Sequence, residues 1–182
     1  MSADLIAPED AVEEVAMVNR VLRVGLFVLV SVLAYSAGQI DGRRSARTPV
    51  VQVVEDVKVL RTSPEGAQTI SKLDGGATGL YYDWAALVGV FRPDAQQVLM
   101  LGLGGGEMLR VLKRTVPKAQ LTSVEIDDRV ITTALRDFGE NVTSTKIVHA
   151  DAKDFVRESG LPQYDAVIVD VYDGSKMPEY FQ

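Results

Sequence analysis

Apolar and polar positions follow three different rhythms along this chain, and each predicts a different kind of element. The first is an almost unbroken apolar run, VLRVGLFVLVSVLAYSAGQI, from Val21 to Ile40. Within it residues 24–38 carry no charge, a stretch of 15 residues. A span needs about 20 residues. Val21, Leu22 and a snorkelling Arg23 extend the run to that length. The pattern predicts a transmembrane helix over residues 20–40, behind an acidic segment at 1–19 that holds Glu9, Asp10, Glu13 and Glu14. A buried or partner-binding helix is the alternative; a cleaved signal peptide fits poorly behind so long an acidic region. Arg43, Arg44 and Arg47 follow the run, which predicts a single-pass membrane protein with its C-terminal side in the cytoplasm.

The second rhythm is short and β-branched. After a linker at 41–49, Val50–Leu60 and Gln68–Leu73 read as extended runs joined by the turn formers Thr62-Ser63-Pro64-Glu65-Gly66. They predict a small β-hairpin unit over 50–76. Tyr81–Phe91 then reads as a helix, with Trp84, Leu87, Val88 and Phe91 at helical spacing, and Pro93 ends it.

The third rhythm is strand–helix alternation. VLMLGL (98–103), LTSVEI (121–126), KIVHA (146–150) and YDAVIVDVY (164–172) read as strands; Glu107–Arg114, Asp128–Phe138 and Ala152–Glu158 read as helices between them. Apolar runs such as VLML suit strands buried on both faces. The alternation predicts an α/β, Rossmann-like domain with a parallel sheet over 77–182. About four strands are present, so the sheet is expected to be incomplete, its fourth strand an exposed apolar edge unless a homodimer or other partner covers it.

Composition narrows the chemistry. The 182 residues are 47% apolar and 24% charged, with a formal net charge of −6 and a pI near 4.8. So acidic a chain argues against nucleic acid as a partner. There is no cysteine and one histidine, His149, which removes disulfides, thiolate chemistry, His-based triads and multi-His metal sites. No metal is expected.

The candidate site begins at Gly102-Leu103-Gly104-Gly105-Gly106, between a buried strand and a helix. Glycines there permit positive φ and close approach of a ligand to the backbone, and the helix N-terminus offers free N–H groups. The fingerprint G-x-G-x-x-G would need glycine at 107, where Glu107 stands. Its carboxylate repels a pyrophosphate, so an adenosyl-sulfonium ligand is favoured over NAD, and an NAD-linked oxidoreductase is the minor reading. Glu125, at the end of the second strand and 23 positions after Gly102, suits ribose hydroxyls. Asp151, after the third strand, suits the adenine amino group or an N-cap. Asp170 ends the apolar AVIV strand at the same sheet edge and can act as a base toward an amine; its apolar flanks are expected to raise its pKa. Tyr81, Tyr82 and Trp84 are candidates to line a substrate pocket, with Trp84 better suited to a core.

Four motifs in order, VLMLGLGGGEMLRVL, SVEID, HADAKDFV and YDAVIVDVYDG with MPEYF, make residues 50–182 resemble the spermidine synthase family, in its membrane-associated branch. The resemblance implies a small β unit joined to a class I methyltransferase-like fold. It implies S-adenosylmethionine or its decarboxylated form as the donor and transfer of an aminopropyl or methyl group to a small-molecule amine. By motif, Gly102, Gly104, Gly106, Glu125 and Asp151 would bind the donor, and Asp170 would deprotonate the amine with Asp173 as a second acid. Tyr82 stands in the family's substrate-binding Tyr-His-Glu pattern, here Tyr82-Asp83-Trp84. Gly105 replaces an Asp that polyamine-making members carry. That substitution, with the missing strands, leaves a non-catalytic, membrane-tethered interaction or regulatory protein as the alternative.

Overall fold

A computed structural model describes residues 48–62, 67–158 and 162–171. The acidic segment 1–19, the apolar run 20–40, most of the linker and Asp173 lie outside these residues. The expected single-pass membrane placement is corrected: among the described residues no helix is long and apolar enough to cross a membrane. The longest helix there, Asp128–Asp137, has 10 residues and buries one face only.

The β-branched segment forms three strands rather than the expected hairpin of two. β1 (Val50–Val54), β2 (Val57–Arg61) and β3 (Thr69–Lys72) pair antiparallel in the order β1-β2-β3. The run 50–60 breaks because Glu55 turns into the left-handed region, at φ 53°, and the tight reversal pairs Val54 with Val57. The helix expected over 81–91 is also divided. Tyr81–Ala86 is a 3-10 helix and α1 (Leu87–Phe91) continues it. Asp83 fixes its start by accepting hydrogen bonds from the amides of Thr78 (3.1 Å) and Gly79 (2.7 Å).

The strand–helix alternation is present as expected. β4 (Gln97–Leu101), α2 (Glu107–Thr115), β5 (Gln120–Glu125), α3 (Asp128–Asp137), a short α4 (Gly139–Val142), β6 (Thr145–His149), α5 (Ala152–Arg157) and β7 (Ala166–Val169) follow in sequence. The four strands form one parallel sheet in the order β6-β5-β4-β7. The order reverses at β4: β5 lies on one side, β7 on the other. Parallel open sheets bind ligands beyond the carboxyl ends of the strands at such a reversal.

Side chains alternate between two cores, as the pleat requires. Val98, Met100, Leu121, Ala166 and Ile168 pack with Met108, Leu109 and Leu112 of α2 and Val88 of α1. Leu99, Leu101, Val124, Val167 and Val169 pack on the other face with Phe155 and Val156 of α5 and with Tyr164. All four residues of β7 are therefore buried on the two faces of the sheet, and among the described residues β7 pairs with β4 alone, so this apolar strand stands at the edge of the sheet as expected. At the amino edge Asp165 pins β7 to β4, accepting from the amides of Gln96 (2.7 Å) and Gln97 (3.0 Å) and from Arg92 (3.3 Å).

Candidate functional site

The carboxyl ends of β4, β5 and β7 bring three sequence-predicted features together: the glycine loop, Glu125 and Asp170. The loop leaves β4 with both backbone groups of Gly102 held, the N–H by Val124 O (2.8 Å) and the carbonyl by Ser123 Oγ (2.8 Å). Gly102 has φ 96°, and a Cβ on it would lie 2.3 Å from the carbonyl oxygen of Asp170. Gly104 has φ 53°, and a Cβ there would meet Thr69 Oγ1 at 2.6 Å. These glycines are demanded by the protein's own packing, where the sequence suggested room for a ligand. Gly106, in the left-handed region, is the N-cap of α2.

Thr69, at the start of β3, accepts a hydrogen bond from the Gly105 amide at 2.8 Å, and Asn141 of α4 donates to the Gly105 carbonyl at 3.0 Å. The small β unit and α4 thus clamp the loop from two sides. A Cβ at Gly105 would point at Thr69 Cγ2 (2.9 Å) and the Phe138 ring (3.2 Å), so a side chain at this position would enter packed protein.

Glu107 does not do what the sequence suggested. Its side chain is buried beneath the loop, where Oε2 accepts from Ser71 Oγ (2.5 Å) and Arg110 Nε (3.0 Å), and Arg110 Nη2 pairs with Oε1. Arg110 also donates to the carbonyls of Gly75 and Gly76. A residue in the first helical turn directs its Cβ back toward the N-terminus, under the loop. Its charge is spent inside the protein, so it cannot repel a pyrophosphate. The carboxylates that flank the loop, Glu125 and Asp170, are the ones placed to do so.

Glu125 ends β5 and is buried. Oε2 accepts from the Leu103 amide at 3.1 Å; Oε1 accepts from the amides of Ile126 and Asp127, each at 3.0 Å. Burial pushes its pKa up, and these amides oppose the shift. Asp170 follows β7 and continues the ladder, donating its amide to Leu101 O at 2.8 Å. Burial, reinforced by the charge of Glu125, pushes its carboxyl up to about 6, while a hydrogen bond from Tyr81 pulls the other way. The expected elevation of this group is thus present. Asp151 caps α5 by accepting from the Lys153 amide at 2.7 Å.

The tyrosines divide. Tyr82 is in the core, its hydroxyl donating to Gln68 O at 3.3 Å and its pKa pushed up to about 12 by burial. Tyr81 stacks on it with ring centroids 4.1 Å apart and reaches Asp170. Trp84 is exposed rather than in the core the sequence favoured for it. Among the described residues no group of three or more His, Cys, Asp or Glu could hold a metal. A surface cavity of about 400 Å³, lined by Pro93, Ala95, Val116 and Lys118, opens at the far, amino edge of the sheet.

Thr69, Ser71 and Asn141 were missed in the sequence. They are 36 and 70 positions from their partners, and none stands in a motif. The pair Glu107–Arg110 did leave a trace, since opposite charges at i, i+3 face each other on a helix.

Comparison with known proteins agrees with this geometry. Residues 83–182 match the family described as spermine/spermidine synthase domain. The chain is 32% identical over 113 residues to a protein of Bifidobacterium longum named "Probable polyamine aminopropyl transferase", a match covering 62% of this chain and 25% of that one. It is 30% identical over 122 residues to the polyamine aminopropyltransferase of Vibrio vulnificus, covering 64% and 41%. The chain thus spans less than half the length of these curated relatives. A crystal structure described as a probable spermidine synthase from Corynebacterium glutamicum superposes with a TM-score of 0.60 at 22% identity, covering 73% of this chain and 52% of that one. That likeness establishes the α/β fold.

Proposed function

The chain belongs to the spermine/spermidine synthase domain family, and on that premise we propose that it binds S-adenosylmethionine or its decarboxylated form at the carboxyl edge of the parallel sheet and transfers an aminopropyl or methyl group to a small amine. The observation that carries this reading is the pair of carboxylates, Glu125 and Asp170, on either side of the glycine loop where the strand order reverses.

The residues fit such a ligand. It brings a positive sulfonium and no phosphate, and two flanking carboxylates favour the first and disfavour the second. Glu125 holds the loop through Leu103 and, as a carboxylate with about four acceptor sites, has capacity left for a ribose hydroxyl. Asp151 can cap α5 and also accept from an adenine amino group. Gly102, Gly104 and Gly106 set the course of the loop beside them. When bound, the sulfonium supplies an activated carbon: the amine nitrogen bonds to it, the carbon–sulfur bond breaks, and the electron pair leaves with sulfur as a neutral thioether. Asp170 takes the proton that the amine gives up, from a carboxyl whose pKa near 6 leaves it ionised at neutral pH yet basic enough to serve. Tyr81 orients that carboxylate. Asp173, three residues on, is proposed as a second acid for the amine, and Tyr82 as a support for that wall of the site. Nothing observed favours the non-catalytic alternative.

Calorimetric titration tests the binding half of this proposal. The protein is expected to bind S-adenosylmethionine or its decarboxylated form, and Glu125→Ala to weaken that binding by roughly 1.5–3 kcal/mol, the range for a hydrogen bond lost from a charged group. A folded Glu125→Ala protein that binds as tightly as wild type would refute the ribose assignment.

A further inference from the structure

We propose that Gln68 binds the primary ammonium on the propyl arm of the sulfonium ligand, an inference that rests on the functional reading above. Gln68 immediately precedes β3, and its backbone is fixed at both ends. The amide donates to Leu60 O at 2.8 Å, and the carbonyl accepts from the Tyr82 hydroxyl at 3.3 Å. Its Cγ lies 3.9 Å from where a Cβ on Gly104 would stand, so the side chain runs along the glycine loop. Its carboxamide oxygen, Oε1, is buried and has no hydrogen-bond partner among the described residues. Such orphaned acceptors are rare in folded proteins, and each calls for a cause.

A ligand donor supplies one. The residue as a whole is only half-buried, and the last torsion of a glutamine side chain is soft, so the carboxamide can turn its oxygen toward a ligand beside the loop. Among the described residues of the loop and its flanks, the other side chains are committed elsewhere. The loop from Gly102 to Gly106 carries a single side chain, the buried Leu103. Glu107 is consumed by Arg110 and Ser71, and the capacity that Glu125 keeps beside its backbone amides is assigned to the ribose. The Gln68 carbonyl accepts from Tyr82, Tyr82 packs on Tyr81, and Tyr81 hydrogen-bonds Asp170, a chain of contacts that puts Gln68 on the Asp170 side of the loop. An ammonium there presents three donors and no acceptor. A carboxamide oxygen accepts one of them in a charge-assisted bond without competing with Asp170 as a base.

The test is titration of the full chain with two probes, decarboxylated S-adenosylmethionine and 5′-methylthioadenosine, which lacks the aminopropyl arm. Gln68→Met keeps the length of the side chain and removes the acceptor. It is expected to weaken the arm-bearing ligand about tenfold, or about 1.4 kcal/mol, and to leave methylthioadenosine within about twofold. Gln68→Glu is expected to tighten the arm-bearing ligand and spare the other. Equal losses for both probes, or no loss for either, would overturn the assignment while leaving the functional reading intact. Wild-type protein that binds neither probe would overturn both. Should Gln68→Met fail to fold, the Gln68→Glu result decides: unchanged affinity for the arm-bearing ligand sinks the proposal.

Discussion

Asp170→Asn is expected to abolish most turnover and, at the same time, to make the protein more stable. The two effects have one origin. The carboxyl of Asp170 sits at the edge of a dry, apolar strand, within reach of the charge on Glu125, and its pKa is pushed up to about 6. That elevation makes it a usable base, and the loss of a general base costs about 10²–10⁴-fold in rate. The same elevation means that the ionised group is held at a cost. A carboxyl raised in the folded state binds its proton more tightly there than in the unfolded chain, so stability falls as pH rises from about 4 through 6 and is level above that. Two pKa units correspond to roughly 3 kcal/mol. Asparagine keeps the shape, still accepts from Tyr81, and carries no charge. The variant should therefore be more stable than wild type by on the order of 2–3 kcal/mol at pH 7, with the advantage gone by about pH 4. Turnover of the wild type should fall below about pH 6 with a slope of one proton. Rate measurements against pH, with urea unfolding at pH 4 and pH 7, check all three. A variant that retains more than a tenth of wild-type turnover would remove Asp170 from the role of base.

How much of this was legible in the sequence depends on what carried the signal. The four parallel strands were legible because apolar runs such as VLML and AVIV are long enough to fill two cores, and their alternation with helices leaves little choice of topology. Glu125 and Asp170 were legible because a strand end fixes which edge of the sheet a residue occupies. Glu107 was placed correctly and read wrongly. Motif spacing gives a residue's position along the loop; the direction of its side chain depends on helical geometry and on Ser71 and Arg110, which lie elsewhere. The break at Glu55 was missed for a related reason. Glu55-Asp56 carries no glycine, proline or asparagine to announce a turn, and only the pairing of β1 with β2 forces the reversal. The clamp on Gly105 by Thr69 and Asn141 left no mark, since a polar residue buried by tertiary contact looks like any other polar residue in the chain.

The second large effect concerns that hidden layer. Replacing Arg110 with methionine is expected to destabilise the fold by about 3–5 kcal/mol, the cost of leaving one member of a buried ion pair without its partner. The side chain of Glu107 is fully enclosed, and Arg110 supplies its charge partner through both Nε and Nη2. Ser71 and Asn141 contribute neutral donors, at 2.5 Å and 3.5 Å, that cannot balance a full negative charge. Arg110 also ties the turn after β3 to α2 through Gly75 and Gly76, so its removal loosens the small β unit as well as the helix. Domains of this size are stable by about 5–15 kcal/mol, so about a fifth or more of the total is at stake. The double variant Glu107→Gln with Arg110→Met separates charge from packing. Glutamine still accepts from Ser71 and carries no charge, so the double variant should recover at least half of the loss. Chemical denaturation of the wild type, both single variants and the double variant gives the coupling energy directly. A loss below about 1 kcal/mol for Arg110→Met would mean that Glu107 finds water or another partner. A double variant no better than Arg110→Met would assign the loss to the contacts at Gly75 and Gly76. The expected pattern, a large single loss and a substantial rescue, would make the layer beneath the loop an electrostatic one, and would explain why the loop keeps its course although four of its five residues are glycine.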